Sequence, residues 1–68
     1  MKEFIERLKE LRTEKNISQK QLAKQINVTA SCINRWENGQ RIPNALNIIA
    51  LCEFLRCSAD YLLGLSEE

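Results

Sequence analysis

The sequence has no histidine, a single proline (Pro43), two glycines and four aromatic residues among its 68 positions. Without histidine, mixed Cys/His zinc sites and the Ser/His or Cys/His pairs of nucleophilic catalysis are excluded. Gly39 and Gly64 are too far apart to build a phosphate-binding glycine loop. Carboxylates are not clustered for acid–base work, so no enzyme, no metal and no cofactor is expected. Three cysteines, Cys32, Cys52 and Cys57, are an odd number at spacings that match no zinc pattern. They fit small half-buried hydrophobes in a reducing compartment better than a disulfide framework. No apolar run approaches the roughly 18 residues of a membrane span. The opening Met1-Lys2-Glu3-Phe4-Ile5-Glu6 mixes charge among apolar residues, unlike the apolar region of a signal peptide. The expected location is the cytoplasm, with no membrane partner.

A chain of this length makes one domain, residues 1–68, and buries only about 60% of its unfolded surface. A thin core leaves little room for an enclosed cleft but suffices to hold a helix out toward a partner. Hydrophobic content of 44% is that of a folded domain rather than a disordered chain. Net charge is only +1, but its distribution is uneven. Residues 1–41 carry nine Lys/Arg against five Asp/Glu, a balance of +4, whereas residues 42–68 carry one Arg against four acids, a balance of −3. Such asymmetry suits one face to a polyanion and leaves the other for something else.

Apolar periodicity is helical throughout. Phe4, Ile5, Leu8 and Leu11 mark one stripe of a helix from about residue 2 to Lys15, ended by Asn16. The charges of alternating sign between them read as a solvated face. Ser18 and Gln21 have the spacing of a capping box, opening a helix with Leu22, Ala23 and Ile26 on its apolar side. Asn27 tolerates the left-handed conformation of a tight turn. Thr29 caps a third helix that ends at Asn38-Gly39, with Ile33 and Trp36 facing inward as core. Pro43 disfavours helix at Ile42 and makes Gln40–Pro43 a loop. Asn44 caps a fourth helix with apolar positions Leu46, Ile48, Ile49, Leu51, Cys52 and Leu55. Cys57 marks a break, and Ser58 with Asp60 opens a short fifth helix, Ala59 to Leu63, stopped by Gly64. The fold class is all-α, five short helices with no strand pattern or repeat.

The informative stretch is residues 18–39, in which two short helices are joined by so few residues that they must cross steeply. One, about 18–26, is a brace; the other, about 29–38, is held outward. The outward helix offers Ala30, Ser31, Asn34 and Arg35, with no acid among them. Arg, Asn and Ser are side chains that read base edges in a major groove wide enough for one helix. The two helix N-termini supply free backbone N–H groups for phosphate, and Lys20, Lys24 and Arg41 add positive charge.

This stretch resembles the DNA-binding domain of the Cro and cI-type phage repressors, the XRE family, a lambda-repressor-like helix-turn-helix fold. The resemblance rests on Ser18-Gln19, Leu22-Ala23, Val28-Thr29, Ile33, Glu37-Asn38-Gly39 and Pro43. It extends through Ala59-Asp60-Tyr61-Leu62-Leu63-Gly64-Leu65, and Asn27 departs from it where the family often has glycine. It implies a transcriptional regulator, bacterial or phage-encoded, that binds a double-stranded DNA operator as a repressor. By position, it assigns base reading to Ala30, Ser31, Asn34 and Arg35. Phosphate contacts fall to Ser18, Gln19, Thr29, Asn38 and Arg41, and Gln19 also matches a residue that helps orient the outward helix. Arg12 and Glu37 match an ion pair tying the first helix to the third. A single reading helix spans few base pairs, so a homodimer on a palindromic operator is expected. Phe54, Leu63 and Leu65 in the acid-rich C-terminal third are its expected contact. The competing function is an antitoxin-type or other protein-interaction module on the same fold. A polar, acid-free outward helix favours DNA.

Overall fold

A computed structural model describes all 68 residues. It contains five helices: α1 Lys2–Glu14, α2 Gln19–Ile26, α3 Ala30–Glu37, α4 Ala45–Leu55 and α5 Ala59–Leu62. Four of them begin at a side-chain cap. Ser18 Oγ accepts from the Gln21 amide at 3.0 Å, and Gln21 Oε1 accepts from the Ser18 amide at 2.8 Å. Thr29, Asn44 and Ser58 cap the next three by accepting from Cys32, Asn47 and Tyr61 amides. Each such cap is worth about 1 kcal/mol, a useful share of the stability of helices too short to persist alone.

The helix ends turn through the left-handed region at Asn16, Asn27 and Arg56, with φ of 56°, 61° and 58°. Asparagine is at home there; arginine is not. The break after α4 therefore lies at Arg56, one residue before the expected Cys57. It is closed by the Cys57 amide donating to the Cys52 carbonyl at 3.1 Å. The last helix is also shorter than expected: Leu63 is its C-cap, followed by Gly64 at φ 83°. A Cβ on Gly64 would lie 2.5 Å from the Glu3 Cβ, so only glycine lets this turn pass the start of α1.

The core draws on every helix: Phe4 and Leu8, then Leu22, Ala23 and Ile26, then Ile33 and Trp36, then Leu51, Leu55 and Leu62. Ala23 is buried where α2 and α3 cross, and a larger side chain there would push them apart. The apolar face expected for α4 is only partly used. Leu51 and Leu55 enter the core, but Leu46 and Ile49 are 76% and 53% exposed. Apolar residues run nearly all round α4, and one small core can cover only one side of it.

The solvated face expected for α1 has an exception besides the paired Arg12. Arg7 is mostly buried; it donates to the carbonyls of Tyr61 and, at 2.6 Å, of Ser66. Its guanidinium lies 4.3 Å from the centroid of the Tyr61 ring, and Glu67 approaches at 3.6 Å. One side chain thus fastens the C-terminal end of the chain to α1. No helix is long and apolar enough to cross a membrane.

Candidate nucleic-acid interface

The buried residues of α3, Ile33, Trp36 and Glu37, fix which side of the helix faces out. Ser31, Asn34, Arg35 and Asn38 are all exposed and fall at i, i+3, i+4 and i+7, a single face. Ala30 is half-buried and packs against the core, leaving its methyl less available than the other three. No acidic side chain lies on this face; the one acid of α3, Glu37, points inward and is 3% exposed.

Of the residues assigned to phosphate, Asn38 lies on this face, and Ser18, Gln19, Thr29 and Arg41 lie at the starts of α2 and α3 or in the loop before α4. Ser18 and Thr29 stand at the N-termini of α2 and α3, their hydroxyls engaged as caps. Arg41 is exposed in the loop before α4, where it borders a shallow cleft with Cys32, Arg35, Asn44 and Asn47. Lys20 and Lys24 flank a groove floored by Ala23, Val28 and Ala30. The exposed charge around the two helix starts is therefore positive.

Beneath this surface lies the Arg12–Glu37 pair. Arg12 Nε donates to Glu37 Oε2 at 2.7 Å and Nη2 to Oε1 at 3.1 Å, while Nη1 reaches the Ile17 carbonyl at 2.8 Å. The Glu37 hydrogen bond raises the arginine pKa further, outweighing the opposite effect of burial. Gln19 Nε2 also donates to Glu37 Oε1, at 3.0 Å, a bond the sequence did not reveal. Gln19 and Glu37 open α2 and close α3, and only the crossing of those helices brings them together. Asn34 Nδ2 donates to Gln19 Oε1 at 3.4 Å, and Asn38 Nδ2 to Asn34 Oδ1 at 3.1 Å.

The three thiols differ in setting. The Cys32 pKa is lowered by hydrogen bonds from Thr29, side chain then backbone, with a smaller contribution from Arg35 and Arg41. Cys52 and Cys57 are half-buried across the α4–α5 joint, and both are pushed up. Burial, reinforced by Cys52, takes Cys57 to about 11. No three Cys, Asp or Glu residues converge in a metal-ligating group.

A helix-turn-helix family profile matches residues 8–62. The chain is 40% identical over 62 residues to the HTH-type transcriptional activator BcrR of Enterococcus faecalis, covering 91% of this chain and 30% of that protein. It is 40% identical over 58 residues to repressor protein C2 of Salmonella phage P22, covering 85% of this chain and 27% of the repressor. The chain thus spans under a third of the length of these relatives. Among solved structures, it resembles the P22 c2 repressor in complex with synthetic operator 9T, with a TM-score of 0.88 at 36% identity. That similarity covers 93% of this chain and 96% of the solved one. The solution structure of the P22 c2 DNA-binding domain gives 0.83 at 37% identity, covering 96% and 88% respectively. With its five helices, its α2–α3 crossing and a match across most of its length, the chain belongs to the helix-turn-helix family, in the Cro/cI-type (XRE) group.

Proposed function

We propose that this domain binds duplex DNA sequence-specifically and acts as a transcriptional repressor in the cytoplasm of a bacterial cell. The observation that carries the reading is the exposed, acid-free face of α3, Ser31, Asn34, Arg35 and Asn38, bordered by Lys20, Lys24 and Arg41. In this reading α3 enters the major groove. Arg35, Asn34 and Ser31 face base edges, with the half-buried Ala30 offering at most a methyl contact. Ser18, Gln19, Thr29, Asn38 and Arg41 lie along the flanking phosphates, which position the domain without carrying sequence. The P22 c2 repressor, whose fold this chain shares, is solved in complex with a synthetic operator, which supports DNA as the partner. No catalytic step belongs to this function.

The working form in this reading is a two-fold dimer on a palindromic operator, with Phe54, Leu63 and Leu65 at its contact. Leu65 is 76% exposed and the best placed of the three. Phe54 is half-buried, with the Lys15 ammonium 5.3 Å from its ring centroid, so it contributes an edge rather than a whole side chain. Sedimentation at micromolar protein, with and without a palindromic site, tests the dimer. A monomer that binds one half-site as tightly as the full palindrome overturns it.

Selection of bound sites from random duplex DNA tests the reading itself. Binding to the selected site should weaken steeply with salt, by roughly 0.9 log units per phosphate neutralised for each log unit of salt. Arg35→Ala should cost about 1–3 kcal/mol and relax the preference at one base position. Arg41→Ala should weaken good and poor sites alike. A flat salt response, or an unchanged preference in Arg35→Ala, overturns the assignment of α3.

A further inference from the structure

The hydrogen bonds that run outward from Glu37 all point the same way. A carboxylate only accepts, and an arginine only donates. With Glu37 buried, the Gln19 atom 3.0 Å from its Oε1 has to be the nitrogen. That orientation leaves Gln19 Oε1 on the far side, so the Asn34 atom approaching it must also be the nitrogen. Asn34 Oδ1 is then turned toward Asn38, which meets it with its own Nδ2. Reversing any one of these amides would set oxygen against oxygen. The 3.4 Å link between Asn34 and Gln19 is the longest of the series, and every link beyond Gln19 is exposed.

We infer that Glu37, acting through Gln19, fixes the direction in which Asn34 and Asn38 present their side-chain amides, and so is a specificity-positioning residue. Asn34 shares the outward face of α3 with Arg35, and an amide presents a donor at one end and an acceptor at the other. Bidentate reading of a base edge needs both ends in register with the base. An amide free to turn over accepts either register, whereas one held from behind accepts one. A buried charge pair that never meets DNA would thereby narrow the base preference at a single position. The inference rests on the DNA-binding reading above and adds to it the source of selectivity at Asn34.

The test compares site selections from random duplex DNA by the full chain and by Asn34→Ala, Gln19→Met and Glu37→Gln. Asn34→Ala marks the base pair that Asn34 reads by flattening the preference there. Glu37→Gln keeps the shape and an acceptor for Arg12 but can turn a donor toward Gln19, and Gln19→Met removes the relay outright. Both should cut the preference at the marked base pair severalfold, toward the Asn34→Ala level, and leave the Arg35-dependent position as it was. Affinity lost by Gln19→Met at phosphates falls on all sites alike and does not enter the comparison. If Glu37→Gln does not fold, Gln19→Met carries the test. The inference is overturned if Asn34→Ala alters no position, or if Gln19→Met keeps the wild-type preference at the marked one.

Side-chain amide resonances of the free protein give a readout that needs no DNA. The Asn34 NH2 group should exchange slowly in the wild type and fast in Gln19→Met; equal rates overturn the relay itself. A wild-type chain that enriches no sequence while its amides are ordered overturns the DNA-binding reading, and the selectivity role with it.

Discussion

The face made by α2 and α3 and the face made by α4 and α5 are both built from short, side-chain-capped helices, yet they are finished differently. On the first, exposed polar side chains are bonded to one another and, through Gln19, to a buried charge pair. On the second, apolar side chains stand in solvent, Leu46 and Ile49 on α4 and Leu65 beyond α5, among the acids Glu53 and Asp60. On the first face the exposed amides are tied to a buried charge pair, while the second is left with surface that hydrophobic burial did not use. Damage to the first should therefore be felt in stability and selectivity together. Damage to the second should be felt in association alone.

The sharpest way to break that contrast is Glu37→Ala. It strands Arg12 and takes the Gln19 amide's inward partner away, with the arginine side chain only 15% exposed. Breaking such a pair from one side should cost about 3 kcal/mol, a large part of the few kcal/mol that hold a domain this small together. Glu14→Ala, at an exposed site on α1, serves as the control and should move the denaturation midpoint little. Similar small shifts in the two variants would mean that the first face is not held from below.

A smaller effect is expected on the second face. Leu65→Ser should leave the midpoint of a dilute sample within about 0.5 kcal/mol of wild type, as for other exposed sites. It should lower the sedimentation average at micromolar concentration if Leu65 is at the dimer contact. Leu46→Ser is the matching change at the equally exposed apolar residue near the start of α4. Loss of association in Leu46→Ser but not in Leu65→Ser would move the contact to the start of α4.

The smallest expected effect is chemical rather than energetic. Cys32 lies beside Arg35 and Arg41 with its pKa lowered by Thr29, whereas Cys57 is pushed up to about 11. Because the thiolate is the reactive form, limited alkylation of the native protein near neutral pH should label Cys32 first and Cys57 last. Thr29→Val should slow the Cys32 reaction and leave the others unchanged. Peptide mapping after brief treatment reads both outcomes, and equal labelling of the three thiols would erase this distinction between the faces.

What the sequence made legible was what is local. The Ser18/Gln21 spacing announces a capping box because both partners lie within one turn, and Asn27 announces a turn because asparagine tolerates positive φ. Arg56 adopts the same conformation without any such signal, so the break after α4 was displaced by one residue. On α4 the apolar pattern is helical, as the structure is. Periodicity alone could not say which side the core would take, and Leu46 and Ile49 were left out of it. The exposure of Ser31, Asn34 and Arg35 on α3 followed from its phase, because Ile33 and Trp36 had to face inward, whereas Ala30, three residues before Ile33, is drawn toward the core. The relay behind them did not, since Gln19 and Glu37 are 18 residues apart and meet only through the packing of two helices.

The Arg7 clasp has a consequence in time rather than in free energy. Its partners lie 54 and 59 residues away, so it closes only after α1 and α5 have been brought side by side. Closing a long loop costs more chain entropy than pairing neighbouring helices, so contacts between residues far apart in sequence are expected to form late. Arg7 is thus expected among the residues whose bonds are absent from the folding transition state. Replacing it by alanine should leave the refolding rate nearly unchanged and place the whole loss in a faster unfolding rate, the arm of the chevron that measures how long the native state lasts. Arg7 would then be what sets the lifetime of the folded domain, while the search for that fold proceeds without it.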